Sequence, residues 1–209
     1  MDNLPLYAHN RTVTLVDINS PYRKRIRHIH EPGHYHELTF SCYQRRPLLM
    51  NEEWKRLFTQ ALNRAIPSQG FQLIAFVYMP EHLHLLVFPV QRTAQIDRLL
   101  FALKRPFSYQ VKQQLERTND PLRQQLTIQE RPGKQVFRFW QEGPGYDRNI
   151  VSQKALITAI EYMHNNPVRR KLSPSPDLWK WSSWKYYHLA DGFQDPDLPT
   201  VHKRFDMMD

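Results

Sequence analysis

The sequence predicts an α+β fold, an antiparallel sheet built on a split β-α-β pattern with helices packed on one face. Three observations predict it. Apolar residues repeat at helical spacing in three segments, and short β-branched or aromatic runs lie between them. The order reads β-α-β-β-α-β and then a further helix. No internal repeat or low-complexity tract competes with that reading.

The elements follow in order. Residues 34–44 (HYHELTFSCYQ) are aromatic and β-branched and predict a strand. Residues 51–66 place Trp54, Leu57, Phe58, Ala61, Leu62 and Ala65 on one helical stripe, and Gly70 lies just past its end. Residues 71–79 (FQLIAFVYM) predict a buried strand, Pro80 and Glu81 break it, and residues 82–88 (HLHLLVF) predict the next. Residues 94–116 form a long helix with Ile96, Leu99, Leu100, Leu103 and Phe107 inward, which Pro106 is expected to kink or divide. The polar stretch 117–135 predicts a loop, and residues 136–140 (VFRFW) a short strand before a turn at Gly143, Pro144 and Gly145. Ser152 is positioned to cap a helix reaching about Asn166, where Pro167 closes it. The expected arrangement is ferredoxin-like and leaves the second sheet face free for a site. A basic, irregular arm (1–33), a main domain (34–172) and a Pro- and Trp-rich extension (173–209) are the expected divisions, with a short ordered piece near 179–187.

Composition narrows the function. Lys and Arg number 29 against 20 Asp and Glu, a net charge of +9, which favours a polyanionic partner and nucleic acid above all. Cys42 is the only cysteine, so an internal disulfide and a cysteine-based zinc site are excluded. No apolar run is long enough to span a bilayer and no signal peptide is evident, so a cytoplasmic, nucleoid-associated protein without a membrane partner is expected. The cluster Tyr22, Arg23, Lys24, Arg25, Ile26, Arg27 is read either as a solvated arm or as a phosphate contact.

His82 and His84 are two apart in a strand, so both rings stand on one face, with Leu83 and Leu85 on the other. Two imidazoles so placed can share a divalent cation or a phosphate. A hard ion such as Mg²⁺ or Mn²⁺ prefers oxygen, so an amide or carboxyl oxygen and substrate phosphates would have to complete its shell.

The surrounding motif is more specific than the pair. Residues 78–87 (YMPEHLHLLV) resemble the strand-turn-strand signature of the single-tyrosine HUH transposases, nearest to the REP-associated tyrosine transposase branch. Residues 160–172 (IEYMHNNPVRRKL), the ending 179–183 (WKWSS) and Phe139-Trp140-Gln141 match in order, and the likeness spans residues 34–187. The resemblance implies His82 and His84 as metal ligands, Asn166 as a further ligand and Tyr162 as nucleophile, on a C-terminal helix. It implies cleavage and rejoining of single-stranded or hairpin DNA (REP-like palindromes) through a 5′-phosphotyrosine, with a divalent metal, Mg or Mn, by a monomer or homodimer. Helical geometry supports the last two assignments, since residues four apart share a face and Leu156, Ala159, Ile160 and Met163 form the core stripe beside them. Tyr109 and Tyr146 are the competing tyrosines.

Expected DNA contacts are Arg98, Lys104, Arg105 and Lys112 on the long helix and Arg169, Arg170 and Lys171 after Asn166. Trp179, Lys180 and Lys185 join them, with aromatics able to stack on unpaired bases; for Trp181 a plug on the core is the favoured role. A catalytically silent DNA-binding relative and an RNA-binding module on the same sheet architecture are the alternative readings.

Overall fold

The computed structural model describes residues 33–143, 145–189, 193 and 195–203. The basic cluster at 22–27 lies outside them. Strand β1 (Tyr35–Ser41), helix α1 (Glu52–Ser68), strands β2 (Phe71–Tyr78) and β3 (His82–Pro89) and helix α2 (Ile96–Arg117) form in the expected order. Asn51 caps α1, its Oδ1 accepting from Trp54 N at 3.1 Å, with Glu52 and Glu53 in the first turn where the helix dipole favours negative charge. Pro106 does not divide α2. The stripe Leu99, Leu103, Phe107, Val111 and Leu115 is buried along its length, which outweighs the ~3 kcal/mol that an interior proline costs.

Beyond α2 the structure departs from expectation. Residues 117–135 are not a loop: helix α3 (Leu122–Gln125) leads into a two-stranded hairpin, β4 (Thr127–Arg131) and β5 (Lys134–Phe137), turning at Gly133 with φ +75. The strand expected at 136–140 meets the main sheet only in a single bridge, Trp140 to Cys42 just past β1, while Val136 and Phe137 pair with β4. Its aromatic residues are instead drawn into the core, Phe139 against Trp54 and Phe107, and Trp140 against Phe40 and Phe58. The fourth sheet strand is β6 (Tyr146–Ile150), ten residues later. All pairs in the sheet are antiparallel and the order is β2-β3-β1-β6, the ferredoxin-like arrangement.

Helix α4 (Gln153–Arg169) starts at Ser152, whose hydroxyl accepts from Ala155 N, and runs through Pro167 instead of stopping before it. Leu172 N donates to Pro167 O at 2.9 Å and Lys171 N to Val168 O at 2.9 Å, so the helix ends in a Schellman turn with Lys171 at φ 57. The two sheet faces bury different helices. Leu38, Phe40, Leu83, Leu85 and Val87 face α1 and α2. Tyr35, Leu86, Phe88 and Ile150 face Leu156, Ala159, Ile160 and Met163 of α4. The second face is therefore not free: α4 covers it, and a site on that face is roofed by the helix.

The segment after α4 closes the outer edge of β2. Tyr78 N donates to Trp181 O (2.8 Å), Ser183 N to Phe76 O (3.0 Å), His202 N to Leu73 O (2.8 Å), and the Tyr187 hydroxyl to Ile74 O (2.8 Å). Trp181 stacks on Tyr78 at 5.9 Å and its Nε1 donates to Glu52. An edge that would otherwise offer unpaired backbone groups is thereby covered. Among the described residues no helix is long and apolar enough to cross a membrane.

Candidate active site

The strand period delivers His82 and His84 to the α4 face, with Nε2 atoms 3.0 Å apart. The other nitrogen of each ring is held by a neighbour. His82 Nδ1 donates to Glu81 Oε1 at 3.1 Å, and His84 Nδ1 lies 2.9 Å from Thr39 Oγ1, directly across the β1–β3 ladder. From α4, the Asn166 amide donates to His84 Nε2 at 3.0 Å, and the Tyr162 ring stands edge-on to His84 with centroids 6.3 Å apart. The Arg169 guanidinium lies 4.8 Å over the Tyr162 ring, and Arg170 pairs with Glu81.

The protonation pattern follows from these partners. With its Nδ1–H directed at the Glu81 carboxylate, the neutral His82 ring carries a lone pair on Nε2 that faces His84 Nε2. Burial pushes His84 down to about 3, with the neighbouring His82 adding to it, and burial lowers His82 as well, so both rings are neutral at pH 7. Burial alone would raise the Glu81 carboxyl, but the Arg170 hydrogen bond and the charges of His82 and Arg170 hold it below its usual range.

At 3.0 Å the two Nε2 atoms are close enough to share a proton or, in its place, to ligate one cation. Two ligands at ~2.1 Å and at right angles, as around an octahedral ion, stand ~3.0 Å apart, whereas tetrahedral angles would spread them to ~3.4 Å. Half a turn of the Asn166 amide exchanges Nδ2 for Oδ1, an oxygen suited to a hard cation. Among the described residues no cluster of three His, Cys, Asp or Glu side chains is placed to cage a metal, so an ion here would draw on two imidazoles, one amide and substrate oxygens. Such a donor set would leave part of a divalent ion's shell open to substrate, unlike a closed structural zinc site.

A cleft of about 400 Å³ opens beside the pair, lined by Glu37, Thr39, His84, Tyr146, Arg148 and Tyr162. Tyr162 is 43% exposed there, whereas Asn166 is buried. Tyr146 lines the same cleft from β6. Tyr109 lies on α2, across the sheet, its hydroxyl accepting from Gln113 Nε2 at 2.9 Å. Cys42 is buried, which pushes its thiol up to about 12 and leaves it inert.

The basic residues divide into three groups. Arg169 lies over Tyr162 and Arg170 pairs with Glu81 beside the imidazole pair, while Lys171 is exposed at the end of α4. Arg98, Lys104, Arg105 and Lys112 belong to α2 on the opposite face, the last three lining a groove of about 750 Å³ with Phe101 and Tyr109. There the Lys104 ammonium sits 4.5 Å over the Phe40 ring, and burial lowers it to about 8. Trp179 donates Nε1 to Tyr78 O at 3.0 Å, Lys180 pairs with Asp197, and Lys185 sits half-buried in helix α5 (Trp184–His188). Two site residues were missed by sequence reasoning. Glu81 was read as a strand breaker, although its place beside His82 was the available signal. Thr39 emerges only from the strand register.

Fold and site together define a ferredoxin-like domain whose central strand presents an imidazole pair to a tyrosine and an amide on a covering helix. Residues 31–166 match the family described as "Transposase IS200 like". The chain belongs to that family, whose members act on DNA. Among solved structures it is similar to a REP-associated tyrosine transposase bound to a REP hairpin, at 17% identity over 88% of this chain and 93% of that one, with a TM-score of 0.62. A protein from Deinococcus radiodurans R1, provisionally classed as a transposase, aligns at 18% identity over 68% of this chain and 96% of that one, with a TM-score of 0.39. Curated proteins yielded no match.

Proposed function

We propose that this transposase-family protein cuts and rejoins single-stranded or hairpin DNA of the REP-like palindromic kind through a covalent 5′-phosphotyrosine on Tyr162. The observation that carries the reading is the convergence of His82 Nε2, His84 Nε2 and the Asn166 amide, each 3.0 Å from the next, beside the Tyr162 ring. His82, His84 and Asn166 would hold a divalent ion, Mg²⁺ or Mn²⁺. Held there, such an ion would supply Lewis-acid polarisation of the scissile phosphate and offset its developing charge.

The remaining steps belong to the chain's own side chains. The Tyr162 oxygen attacks phosphorus and gives up its proton. An O–P bond forms to the tyrosine as the P–O3′ bond breaks, and the departing 3′ oxygen ends as a hydroxyl. Attack by another 3′-hydroxyl reverses the sequence and conserves the bond without a nucleotide cofactor. Arg169, Arg170 and Lys171 place positive charge where the phosphodiester backbone would approach. The approach of Tyr162 to His84 within one chain supports a tyrosine acting in its own subunit.

The experiment mixes the protein and Mn²⁺ with hairpin DNA carrying a label downstream of the cut. Wild type should give a protein–DNA adduct that survives denaturation, and Tyr162→Phe should not. An adduct formed equally well by Tyr162→Phe, or lost in Tyr146→Phe alone, would transfer the nucleophile's role away from Tyr162.

A further inference from the structure

We propose that Glu81 is a positioning residue, tying the orientation of the His82 ring to the seating of the helix end that carries Tyr162 and Asn166. The inference rests on the proposed tyrosine and metal chemistry but is tested separately from it. One oxygen, Glu81 Oε1, accepts from His82 Nδ1 at 3.1 Å and from Arg170 Nη1. The Glu81 side chain is 10% exposed and stands on a turn whose backbone is itself fixed. Cys42 N donates to Glu81 O (2.8 Å), Leu49 N to Pro80 O (2.9 Å), and Met79 N to His82 O (2.9 Å). Glu81 is thus a rigid post, not a mobile side chain reaching into a gap.

The helix side of the contact is equally ordered. Tyr162, Asn166 and Arg170 fall at i, i+4 and i+8, one stripe of α4 and its cap. Each meets the segment 81–84: Tyr162 the His84 ring, Asn166 the His84 Nε2, Arg170 the Glu81 carboxylate. The apolar anchors of α4 against the sheet, Leu156, Ala159, Ile160 and Met163, lie at or before residue 163, and beyond them the buried apolar residue of the helix is Pro167. Over the last turn on this stripe the polar rungs take over, and Glu81–Arg170 is the outermost. The same carboxylate holds Nδ1–H on His82 and leaves the Nε2 lone pair outward, the role that outer carboxylates play behind metal-binding imidazoles. Loss of Glu81 therefore releases ring and helix end together, whereas loss of Arg170 releases only the helix.

Three readouts on the full chain separate these effects: ¹⁵N shifts of the His82 ring in metal-free protein, Mn²⁺ affinity from the free-ion EPR signal, and single-turnover adduct formation at saturating Mn²⁺. Glu81→Gln keeps the oxygen and removes its charge, and Glu81→Ala removes both. We expect Mn²⁺ affinity to fall about 10- to 100-fold, more for Ala than for Gln, with mixed His82 tautomers in Glu81→Ala. Arg170→Gln should slow adduct formation about tenfold or more while leaving the His82 tautomer as in wild type, with Arg170→Lys recovering most of the rate. The double variant Glu81→Gln/Arg170→Gln should be no slower than Glu81→Gln alone. Wild-type tautomer and Mn²⁺ affinity in both Glu81 variants, a wild-type rate in Arg170→Gln, or additive losses in the double variant would overturn the inference. Thermal melts confirm that each variant is folded. An adduct in Tyr162→Phe would sink the tyrosine chemistry alone, because the tautomer measurement needs neither metal nor DNA.

Discussion

Lowering the pH should unfold this protein in a window set by its buried imidazoles. Burial holds His84 and His164 neutral, each pushed down to about 3, with charge on His82 and His188 respectively as the smaller cause. In the unfolded chain an imidazole titrates near ~6.5. As pH falls below that value the unfolded state takes up protons that the folded state refuses, so stability is full at pH 7.5 and declines between about 6.5 and 3. At pH 5 each ring costs about 2 kcal/mol and the pair about 4 kcal/mol, a large part of an ordinary domain's ~5–15 kcal/mol. The lowered carboxyls of Glu52 and Glu81 act in the same direction but only below their usual range, so the interval from 6.5 to 5 belongs to the imidazoles. The assay is urea unfolding of metal-free protein, followed by circular dichroism from pH 7.5 to 5. His164 lies apart from the imidazole pair, bonded at 2.9 Å to Ser183 Oγ, so His164→Gln should be less stable at pH 7.5 yet lose only about half as much on acidification. A flat unfolding free energy across that range, or equal slopes for variant and wild type, would refute the reasoning.

Two further substitutions test the backbone. A Cβ on Gly145, at φ +85, would come 2.4 Å from Thr39 O on a paired strand that has no room to retreat. Gly145→Ala should therefore cost about 2–5 kcal/mol in urea unfolding, from left-handed strain plus overpacking. Lys171→Gly should do the opposite, relieving a left-handed lysine at the end of α4 for a gain of about 0.5–1 kcal/mol in the same assay, while the salt slope of DNA binding falls by about one.

Much of the fold was legible because the core writes its own period. The stripes of α1, α2 and α4 and the apolar run of β2 are spaced by the surfaces they bury. The same two periods placed the histidine pair on one face and Tyr162 above it with Asn166. β6 was not legible, since Tyr146, Asp147, Arg148 and Asn149 form a polar edge strand, whereas Val136, Phe137, Phe139 and Trp140 look like a strand yet divide between a peripheral hairpin and the core between α1 and α2. Pro106 and Pro167 misled because helix packing overrode a local cost. Thr39 and Glu81 were hidden for another reason: their importance depends on what lies across the ladder and across the helix interface, information that no short window of residues contains.

The closure of the β2 edge has a consequence for how the molecule is made. Trp179 and Tyr187 reach back 101 and 113 residues to Tyr78 and Ile74. A ribosome therefore completes the sheet's most apolar strand long before it makes the peptide that shields it. Over that interval the nascent chain exposes a sticky border, and closing so long a loop comes late in folding. Tryptophan and serine at 181–183 thus form a late-made seam over backbone groups that would otherwise stay open to another strand.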